Sequence, residues 1–190
     1  MSIDQVDYID FYSCFPIAVE LACEAYGLAE DDPRGVTVTG GLPYAGGPGS
    51  NYTTHAVAAM LGRLRERRGI GLCTGNGWYL TKHAATLLGS EPPLQPLAAK
   101  PAGPKAVGGE PLEVATQASG RGRVDAYTIT YDREGAPQRG IVVGTTDAGQ
   151  RFVANTPDDR AALESLASQE LCGAQGNVEV VDGVGKFELR

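Results

Sequence analysis

The sequence predicts an α/β layered half-domain followed by a small β-barrel of OB-like type. Three observations carry this. The first ninety of its 190 residues alternate strand-like and helix-like segments; the last seventy read as short strands with one inserted helix; and a proline-rich stretch separates the two. The expected division is an α/β unit over residues 1–90, a linker over 91–119 and an OB-like β domain over 120–190.

Along the chain, "VDYIDFY" is a short β-rich run, and "PIAVELACEAYGL" carries Ile17, Leu21, Ala25 and Leu28 at helical spacing with Pro16 in the first turn. "GVTVTGG" lacks charges and reads as a second, buried strand. It runs into the glycine loop "YAGGPGSNYTTHA". The segment "YTTHAVAAMLGRLRERR" is the clearest helix, with a basic end that suits the helix dipole. "GIGLCTGNG" is read as a strand ending in a glycine turn, and "WYLTKHAATLLG" as a helix starting from that turn. Residues 91–120 hold six prolines and no long apolar period, which suits an extended connection. Beyond it, "GRVDAYTITYDREG", "RGIVVGTTDAG", "QRFVANT" and "GNVEVVDGVGKFELR" read as strands, with hairpin turns where Gly135 and Gly149 take positive φ. The inserted helix, "PDDRAALESLASQE", is expected to start from Thr156 as N-cap with Pro157 in its first turn.

Composition narrows the function classes. A net charge of −7 and 42 % hydrophobic residues favour neither nucleic acid nor an anionic membrane surface. No apolar run approaches the roughly 20 residues of a membrane span, and "MSIDQVDYID" has no signal-peptide pattern, so a cytoplasmic location is expected. Cys14, Cys23, Cys73 and Cys172 are scattered without metal-ligand spacing, so no metal site is expected. The glycine loop matches neither a P-loop nor a dinucleotide fingerprint.

Cys73 stands out because it ends a strand directly before a glycine turn. A helix beginning there would point its positive end at the thiol, lower its pKa and equip it for nucleophilic or acid–base work, with the Gly75 amide as an oxyanion donor. Against this stands the ordinary reading of a strand-end cysteine as core packing. His55 and His83 each fall one turn into an expected helix, close to the loops where a site would form. Tyr12, Ser13 and Cys14 end the first strand in the same way, so three strand ends are expected to converge on one cleft.

Three fragments in order, "DFYSCFPIA", "VTGGLPYAGGPGSNY" and "CTGNGWYLTKH", resemble the C-terminal half of the thiolase superfamily, closest to the sterol-carrier-protein-type thiolases and thiolase-like proteins with an extra C-terminal domain. The resemblance covers about residues 1–90, and the β-rich tail resembles the added domain. It implies an acyl-CoA acyltransferase fold of acetyl-CoA acetyltransferase type, a coenzyme A thioester as substrate with no permanently bound cofactor, and an oligomer. It also implies that the nucleophile-bearing N-terminal half comes from the full chain or from a partner subunit, so that this chain alone would be inactive. By the same resemblance Cys73 stands as the second, acid/base cysteine and Gly75 as an oxyanion-hole amide. Tyr12 takes the place of the family's oxyanion donor. Gly46, Gly47 and Pro48 stand where the family has Gly-His-Pro, with Gly47 at the position of the histidine. Glycine has no acid–base chemistry, so His55 or His83 would have to substitute. The alternative implied by the same loss is a non-catalytic thiolase-like subunit that binds acyl-CoA or a partner protein.

Overall fold

A computed structural model describes residues 1–93, 103, 105, 108–110 and 112–190. Two compact units divide the chain, Met1–Gly103 and Pro104–Arg190. The proline-rich stretch read as a linker falls largely outside the described residues.

The first unit is built on a three-stranded sheet of order β1-β2-β3: β1 (Tyr8–Asp10) runs parallel to β2 (Ile70–Gly77), which pairs antiparallel with β3 (Lys82–Gly89). Alternation assigns each face of the sheet to one helix. Ile9, Phe11 and Leu72 turn toward α1 (Pro16–Tyr26), where they enclose Cys23 and where Phe11 stacks on Tyr26 at 5.4 Å. On the opposite face, α3 (Tyr52–Glu66) lays Tyr52, Ala56, Met60 and Leu64 over Cys73, at the i, i+4, i+8, i+12 spacing of a buried stripe. Helix and sheet approach closely because two sheet residues lack side chains: the Met60 thioether occupies the space a Cβ at Gly71 would need, and Thr53 lies against Gly75. A single turn, α2 (Leu42–Ala45), precedes the glycine loop.

Two expectations for this unit are corrected. "GVTVTGG" forms no strand. Only one backbone bond ties it to the end of β1, Phe11 N–H to the Val36 carbonyl (2.9 Å). The amides of Val38 and Thr39 turn instead to the buried Asp10 carboxylate (2.9 and 3.2 Å), which takes the place of a strand partner. "WYLTKHAATLLG" is not a helix but a turn followed by β3. Thr81 N–H bonds the Trp78 carbonyl (3.0 Å), and the central residues Tyr79 and Leu80 have φ of 50° and 59°. That conformation matches the right-handed twist of a hairpin and returns the chain to pair with β2 along its whole length, so sheet pairing overrides the apolar spacing that resembled a helix.

The second unit is a closed barrel of order β4-β5-β6-β8-β7, formed by β4 (Gly120–Tyr131), β5 (Pro137–Thr146), β6 (Arg151–Asn155), β7 (Gln175–Val181) and β8 (Val184–Leu189). Its core is led by Phe152 and Phe187, stacked at 5.6 Å, with Val124, Val142, Ala154 and Val178. Gly122 leaves room for the Phe152 ring, whose nearest atom would lie 2.7 Å from an added Cβ. The expected hairpins at "YDREGAP" and "TDAGQ" are present, with φ of 83° at Gly135 and 81° at Gly149. The inserted helix, α4 (Arg160–Ala167), starts three residues later than expected. Asp159 is its N-cap, accepting from the Ala162 amide at 2.9 Å, while the Thr156 hydroxyl is spent on the neighbouring Pro157 carbonyl.

Candidate acyl-thioester site

The site grows from the end of β1. Asp10 is fully buried beside Cys73, its register partner on β2. Its Oδ2 accepts from the Thr37 hydroxyl (3.0 Å), the Thr39 hydroxyl (3.2 Å) and the two amides already named. Oδ1 accepts from the Tyr52 hydroxyl at 2.9 Å, and Tyr52 is also 2.8 Å from the Thr39 hydroxyl. The network continues outward: Gly41 N–H donates to Thr39 Oγ1 (3.0 Å) and Leu42 N–H to Ser13 Oγ (2.8 Å). One carboxylate therefore fixes the segment that leads into the glycine loop. A buried charge needs this many partners, because its desolvation is offset only by direct hydrogen bonds.

Cys73 sits above this network with 1 % of its surface exposed, packed against Tyr52, Ala56 and Met60. Burial first, and then the charge of Asp10, push its thiol up to about 12. The expected lowering of its pKa is thus reversed. No helix begins after the glycine turn, and the neighbouring charge is negative. Tyr52 is pushed upward too, by burial foremost and by Asp10, against hydrogen bonds from Thr39 and Ser13 that favour its phenolate.

Beside Cys73 lies a cavity of about 370 Å³ lined by Thr53, Cys73, Thr74, Gly75, Gly77 and the β3 residues Lys82–Thr86. Its size suits a small organic group. Gly75 is in its wall, and an added Cβ there would meet Thr53 Oγ1 at 3.0 Å. Tyr12 belongs to the same cluster as Cys73. Its ring meets Tyr52 edge-on at 5.3 Å, and its N–H donates to Thr74 Oγ1 at 2.9 Å. The structure therefore brings Cys73, Gly75 and Tyr12 onto one face of the sheet.

The histidines are placed elsewhere. The Nδ1–H of His55 faces the Ala45 and Gly46 carbonyls, both at 3.1 Å, so the ring braces α3 against the glycine loop. His83 lies on β3 opposite Asn76, on the sheet face away from Cys73, with Nε2–H on the Leu80 carbonyl at 2.7 Å. Gly46 supplies one of the carbonyls that His55 holds, Gly47 packs on Tyr52 and Leu42, and Pro48 is exposed. An added Cβ at Gly47 would lie 3.0 Å from Tyr52 Cβ and 3.3 Å from Leu42 Cδ1. The loop has closed over the space a larger side chain would use. Among the described residues no cluster of three or more metal-ligating side chains occurs, and no helix is long and apolar enough to cross a membrane.

Asp10, Thr37, Thr39, Tyr52 and Thr53 were not singled out from the sequence. The available signal was an acid, Asp10, between Ile9 and Phe11 in a β-rich run, together with the hydroxyl pair of "TVT" ahead of the glycines.

Comparison with known proteins agrees with this architecture. Residues 104–183 match the family described as the thiolase-like protein type 1 additional C-terminal domain. The crystal structure of a monomeric SCP2-thiolase-like protein type 1 from Mycobacterium smegmatis superposes with a TM-score of 0.83 at 31 % identity over 100 % of this chain. The chain belongs to the thiolase-like superfamily. It spans 42 % of the length of that solved structure. No curated protein matches the chain. Membership accounts for the barrel that follows the α/β unit in this thiolase-like chain, since the matched family is an added C-terminal domain.

Proposed function

We propose that this chain is the C-terminal portion of a thiolase-like protein that binds an acyl-coenzyme A thioester beside Cys73 and Gly75, and that ordinary thiolysis and Claisen condensation are lost from it. The observation that carries this reading is the state of Cys73: a thiol pushed up to about 12 beside a buried carboxylate, next to a cavity of about 370 Å³. General acid–base catalysis needs a group that exchanges its proton near the working pH. Cys73 does not meet that need. Gly47 removes a second proton carrier, and the closed packing around it argues against another side chain reaching in. What stays in place is the concave wall formed by Gly75, Thr53 and the edge of β3, which favours binding over turnover.

On this reading the coenzyme A ester is a ligand and not a resident cofactor, and a second thiolase-like α/β half, in the same protein or in a partner subunit, completes the site. The barrel is of OB type, a reading supported by its strand order β4-β5-β6-β8-β7 and by the helix placed between β6 and β7. Its role is structural, since residues 104–190 carry more acidic than basic side chains and so disfavour nucleic acid. The acyltransferase reading rests on the intact Cys-x-Gly sequence of Cys73–Gly75. Calorimetric titration of the intact protein with acetyl-CoA, beside a thiolysis assay with acetoacetyl-CoA, separates the two. Saturable binding without turnover is expected; turnover abolished by Cys73→Ala establishes the acyltransferase instead.

A further inference from the structure

Thr53 lies in the wall of the Cys73 cavity and is the side chain nearest to where a Cβ of Gly75 would stand: its Oγ1 at 3.0 Å, its Cγ2 at 3.8 Å. Residue 75 is thus glycine for a local reason, because a hydroxyl occupies the side-chain position. Thr53 is the second residue of α3, which places its hydroxyl at the end of a 15-residue helix where backbone N–H groups lack partners within the helix. Nearby hydroxyls are committed to the protein: Thr74 Oγ1 accepts from the Tyr12 amide, Ser13 Oγ from the Leu42 amide, and Thr37 and Thr39 bond Asp10. Thr53 differs from them in facing the cavity.

We propose that Thr53 is a specificity-determining residue of this pocket, donating its hydroxyl hydrogen to the carbonyl oxygen of a bound acyl thioester. The inference rests on the acyl-thioester reading above and adds to it the group that tells a thioester from a molecule without the carbonyl. A hydroxyl is suited to this, since it rotates to donate toward an incoming acceptor. The glycine opposite lets that acceptor approach the backbone without a side chain in the way.

The test uses two ligands of equal carbon count, acetyl-CoA and S-ethyl-CoA, which differ in the carbonyl oxygen. Affinities are measured by calorimetry on the intact wild-type protein, Thr53→Val and Thr53→Ser, with circular dichroism to confirm that each variant is folded. Wild type is expected to prefer acetyl-CoA. Thr53→Val should lose about tenfold in affinity for acetyl-CoA, the scale of one lost hydrogen bond, while S-ethyl-CoA binds within about twofold of wild type. Thr53→Ser should restore the preference. Equal weakening of both ligands by Thr53→Val, or no weakening of either, overturns the role of Thr53 and leaves the acyl-thioester site standing. Wild type that binds neither ligand overturns the site itself, and the role of Thr53 with it.

Discussion

Gly47→His is the substitution that appears to restore thiolase chemistry, and the packing predicts that it does not. The backbone at Gly47 lies outside the left-handed region, so the cost of a side chain there is one of packing. The first added atom already sits 3.0 Å from Tyr52 Cβ and 3.3 Å from Leu42 Cδ1. Leu42 can rotate away. Tyr52 cannot do so freely, since its hydroxyl is tied to Asp10 at 2.9 Å and to Thr39 at 2.8 Å. Overpacking of this kind costs about 1–3 kcal/mol, with Gly47→Ala at the lower end and the imidazole at the upper. Even a well-placed imidazole would face a Cys73 thiol held near 12, of which about 10⁻⁵ is thiolate at pH 7. Urea denaturation of both variants, with acetoacetyl-CoA thiolysis measured in parallel, tests the reasoning. Expected are the graded loss of stability and no gain in turnover. Gly47→His that is as stable as wild type and more than about 100-fold faster in thiolysis refutes it.

Other consequences concern the same unit. Asp10→Ala strands two amides and three hydroxyls in the core and should cost about 3–5 kcal/mol in urea denaturation, far more than a surface substitution. Because the folded Cys73 pKa, about 12, lies above its unfolded value near 9, its contribution to stability is complete below pH 9 and is lost as pH rises toward 12. Wild type should therefore lose about 1.5–2 kcal/mol more than Cys73→Ala between pH 9 and 10.5, measured by denaturation at each pH. At pH 8, iodoacetamide should label the exposed Cys172 and spare Cys73, as read by peptide mass spectrometry. Replacing Tyr79-Leu80 by Asn-Gly supplies residues suited to two positive φ values and should raise stability by about 1–2 kcal/mol in thermal melts.

The order of elements was largely legible in the sequence, and the failures have local causes. α1 and α3 follow from apolar spacing, and the barrel hairpins from Gly135 and Gly149. β3 was not legible, because Ala84, Ala85, Leu87 and Leu88 fit a helical stripe equally well. What decides it is a turn that Tyr79 and Leu80 make against their own preference, a tertiary demand with no signal in composition. The residues of the site were partly legible. Motif order found Cys73, Gly75 and Gly47, but the state of Cys73 depends on Asp10, a neighbour 63 positions away that only strand pairing brings beside it. His55 was read as a candidate base from its place one turn into α3, which is correct; its use, bracing the Ala45 and Gly46 carbonyls, follows from the fold of the loop.

The central claim is that a thioester pocket persists in this thiolase-like chain without thiolase acid–base chemistry. Acetoacetyl-CoA thiolysis by the intact protein, compared between wild type and Cys73→Ala, tests it most directly. The account predicts equal rates, both at the uncatalysed background. A wild-type rate well above background that falls at least 100-fold on Cys73→Ala contradicts it.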